Sequence, residues 1–103
     1  MVNQKEFLNQ MKKAVLSFDD RAEIILFGSR ARGDFKEDSD WDVLVLTDSV
    51  VDFNYRSYLV ESLFALELEH GQAISPLIVE RTKWNDWEIM PLHKNVLKEG
   101  IAV

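Results

Sequence analysis

The apolar positions at the start of the chain return in steps of three and four. Between Val2 and Phe18 they are Phe7, Leu8, Met11, Ala14, Val15 and Phe18. That spacing predicts one face of an amphipathic helix, which Asp19 and Asp20 end. Ile24-Ile25-Leu26-Phe27 is a short apolar run rich in β-branched residues and stopped by Gly28, the pattern of a buried strand. Ser29 to Ser39 is polar, carries Gly33 and lacks any alternation, so a loop is expected, opening with a helical turn. Asp40 to Thr47 predicts a second strand, with Val43 to Leu46 as its buried part. From Asp52 to His70 the positions Tyr55, Tyr58, Leu59, Ser62, Leu63 and Leu66 step helically again, and Gly71 stands where a left-handed cap is expected. Ala73 to Val79 predicts a third strand. Proline cannot donate to a ladder, so Pro76 puts this strand at an edge or at a bulge. Trp84 and Trp87 flank a polar turn, and Pro91 opens a last helix that Gly100 ends.

The order is helix, strand, loop, strand, long helix, strand, short helix. The connection between the second and third strands is long enough for a crossover helix packed on a sheet. The expected class is α/β or α+β, a small mixed β-sheet flanked by helices. At 103 residues, nearly half of them hydrophobic, the chain is expected to form one packed domain over residues 1–103.

Composition narrows the chemistry. Without cysteine there are neither disulfides nor thiolate metal sites. The first residues lack the basic-then-apolar layout of a signal peptide, and no apolar run is long enough for a bilayer, so a cytoplasmic protein away from membranes is expected. Eighteen acids against 12 bases give a net charge of −6, which disfavours non-specific binding to nucleic acid. Against that background Arg30, Arg32 and Lys36 crowd into one short stretch.

Two pieces there carry chemistry. Gly28-Ser29 directly follows a strand: glycine lets backbone approach a ligand, the following amides can cradle phosphate, and Ser29 adds a hydroxyl donor. The guanidinium forks of Arg30 and Arg32 suit phosphate oxygens. Asp40 and Asp42, at i and i+2 of a strand, present their carboxylates on one face, a hard oxygen pair suited to Mg²⁺ or Mn²⁺. A glycine-serine turn is usually only a turn, and a lone Asp-x-Asp is more often a solvated strand start. Their conjunction, with ten residues between Ser29 and Asp40, carries more weight than either.

Gly28-Ser29, the ten-residue gap and Asp40-Trp41-Asp42 resemble the signature of the DNA polymerase beta-like nucleotidyltransferase superfamily. The fuller string Gly28 to Gly33, with Ser39-Asp40 and Val43-Leu44-Val45 after it, is similar to its smallest prokaryotic members, often paired with a helical HEPN partner. The motif spans Phe27 to Leu46, about a fifth of the chain. The resemblance implies that Gly28 and Ser29, with Arg30 as a further contact, hold the triphosphate of an NTP, ATP by preference. It implies that Asp40 and Asp42 are the catalytic, metal-binding acids, and that a nucleoside monophosphate passes to a hydroxyl of a protein or RNA. Trp41 alternates to the other face and reads as packing.

The match has one gap. Active members commonly carry a third carboxylate on the strand after the long helix, where Ser75 stands here. Glu80 faces away unless Pro76 bulges the strand, and Glu67, Glu69, His70 and His93 read as solvated. Three functions are therefore weighed: a working nucleotidyltransferase, an antitoxin-like module gripping a HEPN-type protein with little catalysis, and a ligand-sensing domain. Exposure of Phe53, Tyr55, Trp84 and Trp87 would favour the second.

Overall fold

A computed structural model describes residues 3–103. The elements are α1 (Gln4–Leu16), β1 (Glu23–Phe27), α2 (Ser29–Arg32), β2 (Trp41–Thr47), α3 (Phe53–His70), β3 (Ile74–Glu80), a 3-10 segment (Arg81–Trp87), α4 (Pro91–Glu99) and β4 (Ile101–Ala102). The Asn3 side chain accepts the Glu6 amide at 3.0 Å and fixes the start of α1; the expected beginning at Val2 lies outside the described residues. Asp52 caps α3 in the same way through the Tyr55 amide, and Gly71, with φ of 65°, closes it on the Glu67 carbonyl.

The sheet order is β3-β2-β1-β4. Strands β1 and β2 form an antiparallel pair, β4 adds antiparallel to β1, and α3 carries the chain over to β3, parallel to β2. This is the mixed sheet the pattern predicted. Pro76 lies opposite Val43, and the register runs unbroken from Trp41–Ile74 to Thr47–Glu80. Of the two expectations for this strand, the edge holds and the bulge does not occur.

Alternation sends the strand side chains to two covers. Ile24, Leu26, Trp41, Val43, Val45, Ile74 and Ile78 lie beneath α1 and α3, against Phe7, Met11, Val15, Tyr55, Leu59 and Leu63. Leu44, Leu46 and Val79 pack on the other face against Val96, with Ile25, Phe27, Trp84, Trp87 and Leu92 around them. His93 packs beside this second cluster, against Trp84. Expected at the surface, it is only 5% exposed, with its ring centroid 4.4 Å from that of Trp84. A helix opening at Pro91 puts positions 93 and 96 on one face, and that face is the one turned to the sheet.

Where α1, β2 and α3 converge, Asp19 accepts hydrogen bonds from the Thr47 and Tyr55 hydroxyls, the latter at 2.6 Å. Among the described residues no helix is long and apolar enough to cross a membrane.

Candidate active site

Strand β1 runs into Gly28 at φ 74°, ψ −159°. A Cβ on this residue would overlap Oδ2 of Asp42, so only glycine lets the turn lie against that carboxylate. The chain then coils: the Ala31 and Arg32 amides both return to the Gly28 carbonyl, at 3.1 and 3.0 Å, and Gly33 ends the turn. A helical turn leaves its first amides without internal partners, here those of Ser29 and Arg30.

Register completes the site. Asp42 pairs with Phe27 on one side and with Ser75 on the other, and Asp40 precedes the strand. The Ser75 hydroxyl donates to Asp40 Oδ2 at 3.0 Å. Gly28, Asp40, Asp42 and Ser75 are thus brought together at the meeting of three strand ends, and Ser75 stands where the third acid was expected. With no bulge, Glu80 stays at the far end of β3, opposite Thr47 and paired with Lys83 at 3.2 Å. His70 sits on the α1 side of the sheet, 2.6 Å from Gln10.

Burial pushes the Asp42 carboxyl above the usual carboxylate range; the charges of Asp40 and Glu99 add to the rise, and Arg32 opposes it. Such a pair is stabilised by a divalent cation. Among the described residues no three acids or histidines converge closely enough to hold a metal by themselves. Two hard carboxylates fit an ion that completes its shell with phosphate oxygens and water, as Mg²⁺ commonly does. A cleft of about 740 Å³ lined by Phe7, Arg30, Phe35, Trp41, His70 and Gln72 includes neither aspartate; Asp40 is exposed and Asp42 half-buried.

The two arginines part company. Arg30, expected at the phosphates, is only 7% exposed, and its guanidinium is engaged by the loop before Asp40 and by Gln72. Its guanidinium lies 4.4 Å from the ring centroids of both Phe35 and Trp41 and donates to the carbonyls of Glu37 and Ser39, both at 3.0 Å. Burial lowers its pKa, with Asp38 opposing. Arg30 therefore ties down the loop that delivers Asp40. Trp41 is buried as expected, its indole N–H donating to Gln72 at 3.0 Å. Arg32 is the cation on the Asp42 side, held by Asp34 and by both oxygens of Glu99, each at 3.2 Å. Glu99 also accepts the Gly28 amide at 3.1 Å. No motif in the sequence marks Glu99 as part of the site. The available signal was an acid in the last turn of a helix, where the dipole disfavours negative charge.

A carboxylate pair facing a glycine-serine turn on a small mixed sheet has the make-up of a nucleotidyl-transfer domain. Residues 8–103 match the family model of the nucleotidyltransferase domain, and the chain belongs to that family. It is 38% identical over 96 residues to "Putative protein adenylyltransferase MJ0604" of Methanocaldococcus jannaschii, covering 93% of this chain and 89% of that protein. A second protein of that organism with the same designation, MJ0141, is 33% identical over 79 residues, 75% of this chain and 80% of its own length. Among solved structures, one described as a "putative minimal nucleotidyltransferase" superposes with a TM-score of 0.58 at 32% identity, over 95% of this chain and 94% of that one. A toxin-antitoxin structure with AMP-PNP gives a TM-score of 0.61 at 17% identity, over 98% of this chain and 72% of that one, a likeness of fold.

Proposed function

We propose that the chain binds ATP with Mg²⁺ or Mn²⁺ and transfers AMP to a hydroxyl of a protein or RNA acceptor, in a cytoplasmic setting. The observation that carries this reading is the register that puts Asp42 against the Gly28 turn with Asp40 and Ser75 beside it. In this reading the Gly28 turn presents the free Ser29 and Arg30 amides and the Ser29 hydroxyl to the triphosphate tail, and Arg32 adds positive charge. Asp40 and Asp42 are the catalytic acids and hold the ion, which when bound neutralises phosphate charge. Arg30 serves the nucleotide indirectly, by fixing the loop before Asp40. The acceptor oxygen bonds to the α-phosphorus as the bond to the β-phosphate breaks, and pyrophosphate leaves with the acceptor proton passing to solvent. Ser75 is a poor base for that proton, so binding is expected to exceed turnover. The adenylyltransferase designation of the two relatives supports AMP as the transferred group.

A second reading rests on α3. Phe53, 82% exposed, continues through Val60, Phe64 and Leu68 as an uncovered apolar stripe along the helix. An antitoxin-like module would use it to grip a protein, here one of HEPN type; the fold likeness to toxin-antitoxin components supports this. The aromatics expected to mark such a surface divide: Tyr55 is buried, Trp84 and Trp87 are half-buried, and only Phe53 is exposed.

Calorimetry with ATP at millimolar Mg²⁺ tests the nucleotide site, with Asp40→Asn expected to abolish binding; no uptake by the unaltered chain sinks it. Incubation with labelled ATP and a candidate partner separates the readings: label on the partner supports the enzyme, a stable unlabelled complex supports the module.

A further inference from the structure

Glu99 sits in the last turn of α4, where the helix dipole makes a carboxylate unfavourable, and its side chain is only 16% exposed. Both costs are offset by the same two donors. Oε1 accepts the Gly28 amide at 3.1 Å, and both oxygens take Arg32 Nη1 at 3.2 Å. One carboxylate therefore joins α4 to the turn and to the cation beside it, across 71 residues of sequence. Asp34 holds the same guanidinium through Nε at 3.2 Å, so Arg32 is suspended between two acids.

What that suspension prevents is specific. Asp42 feels the charge of Arg32 and stands beside Asp40, and without a cation this carboxylate pair attracts mobile positive charge. A released Arg32 would fold onto Asp42 and fill the place of the ion, while the Gly28 turn would lose the acceptor that anchors its amide. We propose that Glu99 is a positioning residue of the nucleotide site: it holds Arg32 off the aspartate pair and fixes the Gly28 turn, so that triphosphate and metal meet a site already assembled. This rests on the nucleotide-binding reading above and adds a residue to it.

The test uses the full chain. Dissociation constants for ATP and for inorganic tripolyphosphate, each with Mg²⁺, are measured for the unaltered protein, Glu99→Ala, Glu99→Gln, Arg32→Ala and the Glu99→Ala/Arg32→Ala pair, with thermal unfolding as the check on folding. Glu99→Ala is expected to weaken both ligands about tenfold, the scale of a lost charge-assisted hydrogen bond. Glu99→Gln keeps an acceptor for Gly28 and is expected to recover part of that loss. The double variant should bind no worse than the worse single one, because both act on one unit. Equal or tighter binding by Glu99→Ala, or strictly additive losses, overturns the inference. Should Glu99→Ala not fold, Glu99→Gln decides: weakening of about threefold supports the proposal, and unchanged binding overturns it. Failure of the unaltered chain to bind ATP would instead defeat the nucleotide-binding reading, and Glu99 would fall with it.

Discussion

Each end of β2 lies against or carries an aspartate withdrawn from water, and the two behave in contrary ways. At its C-terminal end Thr47 meets Asp19, which has withdrawn from water yet holds two hydroxyl donors. Burial alone would raise its pKa; the bonds from Thr47, Tyr55 and the Arg21 amide outweigh that and bring it below the usual range. At the N-terminal end Asp42 is also withdrawn from water, but its neighbours include Asp40 and Glu99, and its pKa is raised. The first carboxylate is satisfied by the protein itself and joins three elements. The second is left wanting a cation, and that want makes it a candidate for chemistry. Burial does not separate a structural acid from a functional one; the groups turned towards it do.

The sharpest way to break this contrast is to exchange the losses. Asp19→Ala leaves the Thr47 and Tyr55 hydroxyls without their acceptor in a buried place, and is expected to cost about 3 kcal/mol in denaturant unfolding. ATP binding by the folded fraction should be unchanged. Asp42→Asn should do the reverse. Mg²⁺-dependent ATP binding is expected to disappear in calorimetry. The metal-free fold should gain stability, because a raised carboxyl pKa means that ionisation costs the folded state above the unfolded value of 3.8. A raised melting temperature is the expected sign. A fall in stability would mean that Asp42 is a structural acid after all.

A further effect is a pH dependence. Burial and the bond to Asp19 push the Tyr55 hydroxyl up to about 12 from its ordinary value of 10.0. A folded pKa above the unfolded one stabilises fully below pH 10.0 and is lost as pH rises towards about 12. Denaturant midpoints should therefore fall across that window, and Tyr55→Phe should flatten the fall while costing about 1 kcal/mol at neutral pH.

The contrast between the two acids also marks what the chain reveals of itself. Helices α1 and α3 were legible from their periods, β1 and β2 from short apolar runs, and the edge position of β3 from Pro76. Asp40, Asp42 and the Gly28 turn were legible because their partners lie close in sequence. Arg30 and Arg32 look alike in the chain, yet one turn of helix sends them to opposite sides, and only Trp41 and Phe35 in place show which is buried. Glu99 could not be found by spacing, since its partners Gly28 and Arg32 come from the other end of the chain. The burial of His93 is not legible because nothing local says which face of a nine-residue helix is covered. Strand β4 is two residues long and carries no pattern at all.

Pro76 bears on how the molecule can associate. The Trp41 amide donates to the Ala73 carbonyl, so in this parallel ladder the groups facing β2 include the Ala73 carbonyl and the Ser75 amide, and the backbone nitrogen of residue 76 points outward. Proline leaves a missing donor at the middle of that outer row. A foreign strand laid along β3 would find the row broken, which protects the sheet from edge-to-edge growth and fibril templating. Association through main-chain pairing is discouraged there, so the exposed side chains of α3 offer a partner the easier handle.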